Sequence, residues 1–299
     1  MPQLSVFMRL IALSCFAFAA ASPAEDLISV EFKMIHDYMI VVPVTINGAG
    51  PFHFLLDTGT SRSVANGKIA DQLSLPRISE GEAVGVDGNL HVTLVHSESV
   101  SMGSATVRNL NLTVLPGNSG LPSDVLGILG EDFLANFDVL IDNRHHRIEL
   151  QPGPGTLGMG LAGERLPIRL HGIMDGQPTI GRLIVACRAP ELSSKEITLQ
   201  LDSGINSLLL FGGRRSLGSG AADLDYTIAS ASKTSSLTVS TRTVGTLQVG
   251  SKVVANVVAI APPARPGTDT DGLLPTSLFS SIFISHSQRF VIFDPWTKH

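Results

Sequence analysis

Two short stretches hold residues that could do chemistry. "FLLDTGTS" (54–61) sets Asp57 after an apolar run and before Thr58, Gly59, Thr60 and Ser61. "ITLQLDSGINS" (197–207) repeats the arrangement with Asp202, Ser203 and Gly204, 145 residues on (202 − 57). A carboxylate so placed either caps a surface turn or is held in a low-dielectric place for proton transfer. Two carboxyls at short range cannot both ionise, so they share a proton and titrate as a pair. The ionised member can take a proton from water while the protonated member polarises a carbonyl. Such a pair is equipped to hydrolyse an amide without a metal or a covalent nucleophile.

The elements that must position the two aspartates also recur. "VSMGSATVRNLNLTVLP" (100–116) aligns with "LQVGSKVVANVVAIAPP" (247–263), Gly103 against Gly250. "GILGEDFLANF" (127–137) aligns with "GLLPTSLFSSIF" (272–283), so each aspartate stands 70 residues before its own Gly-apolar-apolar element (127 − 57 and 272 − 202). "DVLIDNRHHRIEL" and "FISHSQRFVIFDP" both read as two short strands around a polar turn. Three landmarks in one order at nearly one offset indicate two copies of one unit. Short Val/Ile/Leu/Thr runs punctuated by 29 Gly and 17 Pro make that unit mostly β. A hairpin is expected from "YMIVVPVTING" and "PFHFLLD", with short helices at "VANGKIADQL" and "EDFLANF". The expected divisions are a leader at 1–24, a first lobe at 25–153, a Gly/Pro-rich linker at 154–164 and a second lobe at 165–299.

With both motifs and the repeat in hand, the chain resembles the retropepsin-like and pepsin-like aspartic proteases over roughly residues 38–295. The first lobe is most similar to bacterial aspartyl protease domains, through "PVTINGAGPFHFLLDTGTSRSVANGKIADQL" and "GILGEDFLANFDVLIDNRHHRIEL". The resemblance implies an all-β, bilobal aspartic-protease fold of two retropepsin-like lobes with few short helices, and an aspartic endopeptidase acting on peptides or proteins. It makes Asp57 and Asp202 the dyad and Thr58 and Ser203 the residues that lock it across the lobes. Gly59 and Gly204 would form the tight turns beneath the carboxyls, where a Cβ would hinder. Both halves lie in one chain, so a monomer is expected. Thr60 supplies a hydroxyl three residues after Asp57, whereas Ile205 stands three after Asp202; Asp57 is therefore expected to be the more acidic member. Pro275 replaces Gly130 in the second lobe and suits the start of a helix. Flap hairpins are expected at 80–92, which has no tyrosine, and at 223–237, which contains Tyr226. A peptide- or inhibitor-binding protein on the same fold is the alternative, as is a purely structural duplication.

Other classes find less support. The net charge of -5 and the lack of a basic stripe argue against nucleic acid. Nine histidines are scattered without H-E-x-x-H or metal-ligand spacing, and "NRHHR" reads as a turn, so no metal and no cofactor are expected. No G-x-S-x-G elbow supports serine catalysis. Arg9, "LIALSCFAFAAA" and "ASPAED" read as a secretory leader cleaved near Ala21–Ala24, which implies export to the periplasm or medium. Cys15 is a weak lipid-anchor candidate, and no later run reaches the ~18 apolar residues of a membrane span. After cleavage Cys187 alone remains, in the apolar "LIVAC", and reads as a buried inert thiol.

Overall fold

The computed structural model describes residues 27–85, 88–115, 120–174, 177–229, 234–262 and 268–297. The expected leader, Cys15 and the tips of both expected flaps (86–87 and 230–233) lie outside the described residues.

The hairpin expected before Asp57 forms from Met39–Ile46 and Ala49–Leu56. Its turn is tighter than the "NGAGP" reading, because Asn47 (φ 51°) and Gly48 (φ 77°) both take the left-handed backbone that a two-residue hairpin turn requires. Val64–Asn66 follows the Asp57 loop and runs into the helix Gly67–Gln72, whose first turn is capped by the Asn66 side chain accepting from Lys68 N–H (2.8 Å). The longest hairpin joins Arg77–Gly85 to Gly88–Met102 and continues into Ala105–Leu115. Gly127–Leu129 then inserts parallel to Ala49–Leu56 and antiparallel to Val64–Asn66.

The second half builds the same sheet. Gln177–Cys187 pairs with Ile197–Asp202, Gly272–Pro275 lies parallel to the latter, and Leu208–Leu210 joins it antiparallel. The hairpin Ala222–Ala229 with Thr234–Val249 leads into Lys252–Ala261. Each half contributes an eight-stranded sheet, and the strand order is the same in both. A four-residue helix, Arg214–Leu217, follows Leu208–Leu210 and has no counterpart in the expected elements.

A six-stranded antiparallel sheet joins the halves. Phe137–Asp142 pairs with Ser281–Ser285 at its centre, Val139 opposite Ile284 and Ile141 opposite Ile282. Arg147–Pro152 and Ile28–Glu31 extend it on one side, Phe290–Phe293 and Leu166–Pro167 on the other. Its Val139, Ile141, Ile282 and Ile284 are buried in the one large core that runs through both lobes. A smaller cluster of Phe283, Phe290 and Ile292 packs with Leu157 and Leu161 from the Gly/Pro-rich joint. No helix among the described residues is long and apolar enough to cross a membrane.

Candidate active site

Alternate residues of a strand face opposite sides, and this decides where the aspartates lie. Leu56 and Leu201 point into the main core, so Leu55 with Asp57, and Gln200 with Asp202, share the other face. The backbone carries each aspartate to the lobe junction: Asp57 N–H donates to the Leu129 carbonyl (3.0 Å), and Asp202 is paired with Pro275. Ser63 ties the loop to the neighbouring segment. Its N–H and hydroxyl donate to Asp132 (2.9 and 2.6 Å), and its hydroxyl accepts from Gly130 N–H (3.0 Å).

The sequence-expected residues come together across the junction. Thr58 N–H donates to Ser203 Oγ (3.0 Å) and Ser203 N–H donates to Thr58 Oγ1 (3.1 Å), while the Ser203 hydroxyl donates to the Leu56 carbonyl (2.8 Å). Thr58 and Ser203 are buried, so these bonds are shielded from competing water. Gly59 N–H donates to Asp57 Oδ1 (2.8 Å) and Gly204 N–H to Asp202 Oδ1 (2.7 Å), orienting each carboxyl from its own loop. A methyl group on Gly59 would overlap the Asp202 carboxyl, and one on Gly204 would stand 3.1 Å from that of Asp57. Each glycine therefore makes room for the opposite lobe's aspartate, in addition to turning its own loop.

The two carboxyls hydrogen-bond to each other and are electrostatically unequal. Burial raises the Asp57 pKa above the ordinary aspartate range, but Thr60 Oγ1–H (2.7 Å), Gly59 N–H and Asp202 all stabilise its charged form. Burial and then the charge of Asp57 push Asp202 well above that range, opposed only by Gly204 N–H. Asp202 is thus raised further than Asp57.

Several site residues were missed by sequence reasoning. Gln200 is buried and its Nε2–H donates across the lobes to the Gly59 carbonyl (2.9 Å). Behind it, buried Arg182 donates from Nε to Gln200 Oε1 (2.7 Å). Aligning the two aspartate motifs exposes this, since Gln200 stands two residues before Asp202 where Leu55 stands before Asp57. Glu131 and His286, from opposite lobes, form a buried pair (Oε2 to Nε2 2.9 Å), and His286 Nδ1 meets the Phe137 carbonyl (2.7 Å). No local motif marks that pair. Cys187 is buried, as expected, and burial pushes its thiol up to about 12.

Two small apolar clusters lie apart from the main core, on the face of the sheets that the two aspartates share. Met39, Val41, Leu55, Val64, Val125 and Ile128 make the first; Leu209, Val239, Ile260 and Leu273, with Ile205 and Phe211 packed against them, make the second.

Residues 42–133 match the family model described as aspartyl protease. No curated protein matches the chain. A retropepsin-like aspartic protease from Rickettsia conorii is similar at 18% identity and a TM-score of 0.32, over 42% of this chain and 92% of that one. The chain is thus all-β, with two eight-stranded sheets of one strand order, and its residues 42–133 match the aspartyl protease model.

Proposed function

We propose that this chain is an aspartic endopeptidase whose catalytic pair is Asp57 and Asp202. The observation that carries the reading is the mutual fit of the two loops, in which each glycine lies beneath the other lobe's carboxyl. A structural turn carboxylate has no need of a like-charged partner brought close at such desolvation cost.

In this mechanism a water sits between the carboxyls and a peptide carbonyl. Ionised Asp57 takes a proton from the water as its oxygen bonds to the carbonyl carbon, and protonated Asp202 gives its proton to the carbonyl oxygen. The tetrahedral diol collapses when Asp57 returns its proton to the departing nitrogen and Asp202 recovers one from a diol hydroxyl. The C–N bond breaks, releasing an acid and an amine. Thr58 and Ser203 hold the relative position of the two loops throughout. The apolar clusters beside the dyad favour apolar side chains next to the scissile bond.

The remaining parts of the reading follow from the sequence. Residues 1–24 direct export and are removed, one chain suffices as a monomer, and residues 154–164 join two units that arose by duplication. The test uses the chain without residues 1–24 and an unfolded protein over roughly pH 3–7, where a shared-proton dyad passes through its active form. Mass spectrometry should find fragments with wild type and none with Asp57→Asn. A folded wild-type protein that cuts nothing at any pH would move the reading to a peptide-binding protein.

A further inference from the structure

The two sides of the dyad are not chemically alike, and the strand register shows where they diverge. Val41 pairs with Leu55, and Ile184 with Gln200; Leu55 and Gln200 pair in turn with Ile128 and Leu273. Gln200 is therefore the counterpart of Leu55. Two residues before Val41 and Ile184 stand Met39 and Arg182. Leu126 N–H donates to the His53 carbonyl and Asp271 N–H to that of Thr198, which makes Thr270 the counterpart of Val125. Met39, Leu55 and Val125 belong to one apolar cluster in the first lobe. Arg182, Gln200 and Thr270 are a single hydrogen-bonded network in the second: Arg182 Nε donates to Gln200 Oε1 (2.7 Å) and Nη2 to Thr270 Oγ1 (2.9 Å). Arg182 also pairs with Asp269 (2.9 Å), which in turn holds Arg169.

The remaining counterparts stay apolar, Val64 as Leu209 and Ile128 as Leu273. Polarity has thus entered at three positions that touch one another and not along the whole wall. Arg182 and Gln200 share the sheet face of Asp202, and Gln200 reaches the Gly59 carbonyl beside Asp57. The Gln200 amide nitrogen carries two hydrogens and, among the described residues, meets one acceptor there. A buried arginine held by neutral and anionic partners is costly to keep without a specific use.

We propose that the two lobes hold different side chains of one bound peptide. The first-lobe side, at Met39, Val41, Leu55 and Val125, takes an apolar side chain. The second-lobe side, at Gln200 backed by Arg182 and Thr270, takes one bearing an acceptor oxygen, a carboxamide or a carboxylate. This rests on the proposed dyad for its frame, but selection is a property of the cleft and is readable without cleavage.

The test uses peptides of one sequence in which the two residues flanking the scissile bond vary independently among Leu, Gln and Glu. Wild type should cut Leu paired with Gln or Glu, in one fixed order, about tenfold or more faster by kcat/KM than Leu with Leu, since a hydrogen-bonding site rejects a side chain that leaves it unpaired. The variant Arg182→Met/Gln200→Leu/Thr270→Val, which copies the first lobe, should prefer Leu with Leu. Gln200→Leu alone should reduce the preference, should the triple variant fail to fold. The same peptides are titrated onto Asp57→Asn by fluorescence anisotropy, and the order of affinities should match. Binding with this preference but no cleavage by wild type would overturn the protease reading and keep the two-sided cleft. Cleavage fastest with Leu on both sides would overturn the two-sided cleft alone. Neither binding nor cleavage of any peptide would overturn both.

Discussion

At the scale of single residues, one hydroxyl sets the surroundings of the two aspartates apart. Asp57 has Thr60 three residues on, while the same position after Asp202 is Ile205, and Asp202 is raised the further of the two. Replacing Thr60 by Ala removes a bond that favours ionised Asp57, so the lower apparent pKa of the pair should rise and the acid limb of the rate–pH profile should move to higher pH. An acid limb left in place would reject Thr60 as the source of the asymmetry. Both aspartates have folded-state pKa values raised above those of the unfolded chain. The folded state therefore binds protons more tightly, and stability falls as pH rises from about 4 through the raised values. Asp202→Asn removes that penalty: its Tm should exceed that of wild type at neutral pH, by about 2–4 °C for each kcal/mol relieved, and converge with it at acid pH. An equal Tm gap at all pH values would mean that burial of the ionised pair is not its cause. The approach of Asp57 to Asp202, with Gly59, Gly204, Thr58 and Ser203 between them, was legible because small residues are demanded beside a buried carboxyl. Gln200 was not, because "LQLD" still reads as a strand ending in aspartate, and only a partner 141 residues away shows what the glutamine does.

Strands and helices were legible where the pattern is local. The Asn47-Gly48 hairpin and the Asn66-capped helix each depend on residues within a few positions, and both form. The central pairing of Phe137–Asp142 with Ser281–Ser285 depends on residues more than 130 apart, and "two strands and a turn" in each half carries no trace of it. Arg214–Leu217 is one turn between Gly213 and Gly218, too short to show a helical period. Where those closing elements meet, side chains of each half reach into the other. Asn143 donates to the Thr276 (3.3 Å) and Phe279 (2.9 Å) carbonyls, and His286 pairs with Glu131. Burial raises Glu131, with His286 opposing the rise; burial alone would lower His286, but Glu131 and the Phe137 carbonyl raise it on balance. The raised His286 value stabilises the fold at acid and neutral pH and is lost as pH rises through it, whereas the raised Glu131 value costs stability as pH rises from the ordinary glutamate range through it. His286→Ala strands a buried glutamate and should cost about 3–5 kcal/mol in urea denaturation at pH 6. The cost should shrink in alkali; a cost constant with pH would assign His286 to packing alone.

The whole molecule is two sheets of one strand order closed by a sheet to which both halves contribute equally. Repetition at one offset made the two like halves readable before any geometry, because the same landmarks recur in the same order in each. What repetition conceals is the difference between copies, because aligned landmarks draw the eye to what is shared. Arg182, Gln200 and Thr270 lie at the positions of Met39, Leu55 and Val125, between landmarks that agree. The central claim is that both halves of one catalytic pair reside in a single chain. It is tested most directly by the rate at which Asp202→Asn, with its first aspartate intact, cleaves an unfolded protein at the wild-type pH optimum. The account predicts no cleavage above background at any protein concentration. Activity that persists in Asp202→Asn and grows with its concentration would mean that Asp57 finds its partner in a second chain, and would contradict the account.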